Sequence, residues 1–162
     1  MSILIPIVIV ASALGASLAL YRGERSRAFA NSTCATHRGS VTRLTDAAVS
    51  TRNLLGTNGS DASHIALCGA SNVPLGIIAD EASAAGEDVA VLLLGSSGTT
   101  LGMVAAGAIN AGSLVYTAAN GRVSALSATA GTYYCVGVAL TAATTAGDSI
   151  EVDPSAPQKT VV

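Results

Sequence analysis

From Ser63 onward the chain breaks into short β-like runs separated by turn residues every 8 to 12 positions. That spacing limits the fold more than any other feature. The runs are His64–Cys68, Val73–Ala79, Asp88–Leu94, Leu101–Ala105, Leu114–Ala118, Arg122–Leu126, Tyr133–Leu140 and Ser149–Val152. Runs this short with turns this frequent build a sandwich or a barrel; alternating β and α units would need helical stretches between the strands. No helical periodicity of useful length follows Asn58. Asn120-Gly121, preceded by Val115-Tyr116-Thr117 and followed by Val123, predicts a hairpin, because Asn-Gly suits the two positive φ angles of a tight I′ turn.

Ala-Gly opens a β run four times, at Ala85-Gly86, Ala111-Gly112, Ala130-Gly131 and Ala146-Gly147. The glycine spacings are 26, 19 and 16, so no fixed period is visible. This reads as a single irregular barrel rather than a solenoid or propeller. The expected fold is all-β: a small irregular β-barrel or sandwich with an extended N-terminal arm. Residues 1–58 are assigned to an apolar, then basic, arm, and residues 59–162 to a β-rich domain with a short C-terminal tail. Between Arg22 and Asn58 the chain is polar and Ser/Thr-rich, with one short helix expected around Thr45 to Leu55. The same stretch also suits a pair of edge strands.

Composition narrows function. Ala, Gly, Ser and Thr supply half of the 162 residues, aromatics 3% and charged residues 11%, against roughly 25% charged in an average soluble domain. With half the residues apolar and a formal net charge of −2, the chain is not of the disordered type. A surface with so little charge suits packing against other subunits. Charge is also unevenly placed. Arg22, Arg25, Arg27, Arg38, Arg43 and Arg52 face only Glu24 and Asp46 in the N-terminal stretch, whereas eight acids between Asp61 and Asp153 face Arg122 alone. A basic front on an acidic body points to an arm that meets a partner other than the one the body meets, or that folds onto its own body. The arginines form no stripe and lack interleaved aromatics, which disfavours nucleic acid as a partner.

The run Ile3–Leu20, ILIPIVIVASALGASLAL, carries no charge. Three readings fit it. As a membrane anchor it would span about 27 Å if helical, just under a hydrocarbon core, with Arg22, Arg25 and Arg27 as the flanking positive cluster. As a signal peptide it lacks a positive segment before the apolar run. As a buried arm it would use its β-branched first half, Ile5, Ile7, Val8, Ile9 and Val10, as a strand, with Pro6 and Gly15 weakening any helix.

Chemistry is sparse. Cys34, Cys68 and Cys135 cannot all pair, and Cys34-x-x-His37 offers no four-ligand zinc set. Reduced, buried thiols are expected. His37 and His64 have no serine elbow or ordered triad partners; His64 beside Asp61 reads as a structural hydrogen bond. Asp80-Glu81 and Glu87-Asp88 have no aromatic platform for a sugar and no calcium-loop spacing. Gly95–Thr100 lacks the lysine of a phosphate-binding loop. The expectation is a protein that is not an enzyme, with no catalytic residues, no cofactor and no metal.

Several stretches carry a family resemblance: Gly59-Ser60-Asp61-Ala62-Ser63-His64-Ile65-Ala66, Val73-Pro74-Leu75-Gly76, Asp80-Glu81, Val104-Ala105-Ala106-Gly107-Ala108-Ile109, Val115-Tyr116-Thr117-Ala118-Ala119-Asn120-Gly121, Ala130-Gly131-Thr132-Tyr133-Tyr134 and Gly147-Asp148-Ser149-Ile150-Glu151-Val152. The chain resembles the capsid decoration (cement, or head-fibre-like) proteins of tailed bacteriophages over roughly residues 33 to 162. The resemblance implies a non-enzymatic β-rich structural protein of the virion, bound to the major capsid protein on the outer capsid surface and stabilising the head lattice. Homo-oligomers, a trimer ahead of a dimer, are expected. Ile3, Ile5, Ile7, Ile9, Arg22, Arg25, Arg27, Arg38, Arg43 and Arg52 are the expected capsid-contact residues. The alternative is a membrane-anchored surface β-domain using residues 3–20 as its anchor.

Overall fold

A computed structural model describes residues 39–162, and it is all-β apart from one 3₁₀ turn at Ala119–Gly121. Ten strands follow in order: β1 Ser40–Thr45, β2 Leu54–Asn58, β3 His64–Leu67, β4 Gly76–Ile78, β5 Asp88–Leu93, β6 Leu101–Val104, β7 Leu114–Thr117, β8 Val123–Ser124, β9 Thr132–Ala139 and β10 Ser149–Val161. The first five close into a barrel in the order β1-β3-β2-β4-β5, and the last five form a sheet ordered β6-β10-β9-β7-β8. That sheet curls until Ala105, next to β6, bridges Val123 of β8 in parallel.

The two halves have the same topology. In the first, β1 runs parallel to β3 and antiparallel to β5, and β4 pairs with β2 and β5. In the second, β6 takes the place of β1, and each later strand replaces the one five before it. Registers agree residue for residue: Leu44 pairs with Asp88 as Val104 does with Ser149, and Ile77 with Leu92 as Val138 does with Asp153. The bridge Val49–Ala82 recurs as Ile109–Ala143. Of the four Ala-Gly motifs, Ala85-Gly86 and Ala146-Gly147 are equivalent, 61 positions apart, and the two between them are not. The chain is therefore a tandem repeat rather than a single irregular barrel. Loops of unequal length hide the period, since β2 and β7 are offset by 59 positions and β4 and β9 by 61.

Packing follows the repeat. Val41, Leu54, Ile65, Ile78, Val89 and Val91 belong to one core cluster, and Leu101, Met103, Val115, Val123, Ala139, Ile150 and Val152 to the other. Where Ile65 and Ile78 shrink to Val123 and Ala139, Gly56 becomes Val115, so core volume is redistributed rather than lost.

Two expectations are corrected. The stretch 40–58, assigned to the arm, supplies β1 and β2 of the closed barrel, and no helix forms between Thr45 and Leu55. Backbone pairing outweighs the weak helical preference of a segment holding Val49, Ser50 and Thr51. These strands are internal rather than edge strands, because a closed barrel has no edge. The tail is also strand: β10 runs to Val161, with a register shift between Pro154 and Gln158, and its distal half pairs with Thr132–Cys135 of β9. The Asn120-Gly121 turn forms as expected, with φ of 58° and 70° and Arg122 N–H donating to Ala119 O at 3.3 Å.

Gly76 and Gly137 occupy equivalent close approaches. A Cβ at Gly76 would lie 2.3 Å from Leu92 O, and one at Gly137 2.2 Å from Asp153 O. Gly137→Ala is expected to lower stability by at least about 2 kcal/mol in urea denaturation. Gly107→Ala, with nothing within 4 Å of the new methyl, should change it by less than about 1 kcal/mol.

Candidate functional site

Of the expected contact residues, Ile3, Ile5, Ile7, Ile9, Arg22, Arg25, Arg27 and Arg38 lie outside the described residues. Arg43 and Arg52 lie within them, and the structure does not bring them together. Arg43 occupies the β1 position that Met103 holds in β6. Its Nη1 donates to Ala62 O and its Nε is buried without a partner. The guanidinium thus reaches the β2–β3 loop of its own barrel while Arg43 stays partly exposed. Arg52 is exposed, with Nε 3.6 Å from Glu81 Oε1. An exposed pair of this kind is worth roughly 0–1 kcal/mol and yields readily to a partner.

Several acids of the body hold loops. Asp61 Oδ1 lies 2.7 Å from His64 Nδ1 and accepts from Ser63 N–H and Oγ, each at 2.7 Å. His64, then Ser63, hold the Asp61 carboxyl well below the usual carboxylate range. The side chains of serine and histidine both bond the same aspartate oxygen rather than forming a relay from serine through histidine, so this is a loop clasp and not a catalytic triad. Glu87 accepts from Ser83, and the equivalent Asp148 accepts from Thr144 N–H at 2.8 Å and Thr145 N–H at 2.9 Å. Asp80 Oδ2 accepts from Ala90 N–H at 2.9 Å, and Thr141 Oγ1, 61 positions on, accepts from Glu151 N–H at 2.9 Å. One loop design is used twice, with different side-chain oxygens.

Cys68 and Cys135 are free and buried, and burial pushes the Cys68 thiol up to about 11, which leaves it protonated and inert. Cys34 lies outside the described residues. Among the described residues no three His, Cys, Asp or Glu side chains gather as a metal site, and no helix is long and apolar enough to cross a membrane.

What the sequence reading missed is a groove of about 330 Å³ where β7, β9 and β10 meet, lined on one side by Leu114, Tyr116 and Val138 and on the other by Asp153, Pro154 and Gln158. Leu114 is 52% exposed and Leu126, beyond β8, 44%. The available signal was the alternation along Leu114-Val115-Tyr116: with Val115 turned inward, Leu114 must point out.

The chain belongs to the phage cement protein family, whose model matches residues 33–154. It is accordingly a non-enzymatic structural protein of the virion, at the capsid surface. No curated protein matches it. Among solved structures it is similar to the N-terminal base of the head fibre protein gp8.5 of bacteriophage phi29. The TM-score is 0.55 and the identity 18%, over 74% of this chain and 95% of that one. At that identity the likeness is one of fold.

The Asp148 carboxyl sits at about 2, held down first by the Thr145 N–H, then by the Thr144 N–H and the two threonine hydroxyls, and Glu87 is lowered by Ser83. A folded-state value below the unfolded one means that protonation favours the unfolded chain. Stability is therefore expected to hold above about pH 5 and to fall from there towards pH 2. Asp148→Asn should lower the Tm at pH 7 and flatten that acid slope, as read by thermal melts across pH.

Proposed function

We propose that the chain binds the outer surface of a bacteriophage capsid through its N-terminal segment and stabilises the head lattice, acting as a homo-oligomer, with a trimer as the expected state. The observation that carries this reading is the division of labour along the chain. The family match covers residues 33–154, and the described part of it is a closed five-stranded barrel and a second sheet, with Asp61, Glu87 and Asp148 engaged in their own loops. The uncharged run Ile3–Leu20 and the arginines Arg22, Arg25 and Arg27 lie ahead of it. The arginines, with Arg38 and the loosely paired Arg52, would meet acidic patches of the major capsid protein. Ile3, Ile5, Ile7 and Ile9 would add a strand to a neighbouring subunit or pack beneath it. Burial at about 25 cal/mol per Å² lets a small protein draw from such interfaces the strength its own core cannot supply.

Cosedimentation of the full-length chain with undecorated capsids, and separately with liposomes, tests the reading. Saturable binding to capsids alone is expected, together with greater resistance of the decorated heads to heating. Deleting residues 1–30 should abolish capsid binding while the circular dichroism spectrum of the β-body stays the same. Full binding by the shortened chain would overturn the role of the arm. Binding to liposomes alone would make residues 3–20 a membrane anchor.

A further inference from the structure

The two halves of the body meet through one patch. On the outer side of the first barrel, Leu55, Cys68, Ile77 and Leu94 are buried in the cluster formed with the second half. Gly121 sits on this patch: its N–H donates to Cys68 O at 2.7 Å, and a Cβ there would lie 2.7 Å from Leu55 O. Beside it, Gly102 lies against Asn53, whose Nδ2 a Cβ would approach to 3.2 Å, and Val104 joins the core cluster of the first barrel.

Because the halves repeat, each side of this interface occurs twice. Strand register carries Leu55 onto Leu114, Ile77 onto Val138, Cys68 onto Leu126 and Asn53 onto Gly112, while Leu94 falls onto the polar Ser155. The first set is covered. Leu55 and Cys68 are 0% exposed, whereas Leu114 is 52% and Leu126 44% exposed, and the groove of about 330 Å³ opens beside Leu114 and Val138. On the covering side, Gly102 corresponds to Thr42 and Val104 to Leu44. Thr42 is exposed and Leu44 half-buried.

We propose that the surface at Leu114, Val138 and Leu126 is the docking site for the first barrel of a second copy, placed head to tail so that Thr42 meets Gly112 as Gly102 meets Asn53, with Leu44 in the place of Val104. Size supports the match. Inside one chain a glycine, Gly102, faces the large Asn53. Between copies the larger Thr42 would face Gly112, which has open space around it. The two surfaces differ, so the contact is heterologous: each chain offers one of each, and successive copies close a ring when the rotation permits. An exposed apolar patch on a structural protein is the expected mark of such an interface.

This inference rests on the homo-oligomer reading above, and native mass measured by light scattering on the full-length chain separates the two. The wild type should run at a multiple of 15.9 kDa. Leu114→Asp, or Leu126→Asp should the first misfold, blocks the groove, and Thr42→Arg blocks the opposite surface. Each variant should run as a single chain with an unchanged circular dichroism spectrum. Mixed in equal amounts, Leu114→Asp and Thr42→Arg should combine into a particle of two chains and stop there, because only one intact contact can form between them. A wild type that stays single overturns both the oligomer and the surface. An oligomer that survives both variants leaves self-association standing and overturns this surface. Loss in Leu114→Asp but not in Thr42→Arg, or failure of the mixture to pair, overturns the head-to-tail arrangement.

Discussion

The approach of Gly121 to the backbone of Leu55 and Cys68 governs the rest of the body. No side chain fits there: a Cβ would meet Leu55 O at 2.7 Å and Leu54 Cβ at 2.9 Å, and φ of 70° suits glycine. The β7–β8 turn can therefore lie flat on β2 and lend its N–H to Cys68 O. Thr117, fully buried, closes the same seam. Its hydroxyl donates to Ala70 O on the first half and accepts from Tyr134 N–H at 3.0 Å on the second. A buried hydroxyl with both roles filled is a fixed strut, since losing either partner would strand a polar group in an apolar seam.

Repetition explains much of the remaining chemistry. Backbone N–H groups that find no strand partner are bonded by a nearby side-chain oxygen, and Glu87, Asp148, Asp80 and Thr141 each supply one. Carboxylates committed in this way are not available as general acids or bases. These loop carboxylates are engaged in hydrogen bonds of their own fold, which suits a structural protein of the virion.

Strand existence was legible from the residues and strand partnership was not. Runs such as Asp88–Leu94 and Leu101–Ala105 announce themselves through β-branched and apolar residues between turn signals, and Asn120-Gly121 fixes its turn through local φ preference alone. The 40–58 stretch was harder to read. It owes its strands to pairing with β5, β3 and β4, and its positive-φ Asn53 stands where the second half has Gly112. The repeat escaped notice because its equivalents share volume and position rather than identity, as Gly56 and Val115 do, and because three loops differ in length by one to three residues.

Taken alone, the sequence determined that this chain is β-rich, that it carries its positive charge ahead of an acidic body, and that its histidines and carboxylates follow no familiar catalytic spacing. These follow from local turn chemistry, strand preference and composition, which need no knowledge of distant partners. Only the tertiary structure decided that the body is one five-stranded topology used twice, that Arg43 reaches Ala62 O of the β2–β3 loop, and that Leu55 is fully buried while its equivalent Leu114 is half exposed. Those outcomes depend on which strands meet across the fold, and burial is a property of the neighbour as much as of the residue.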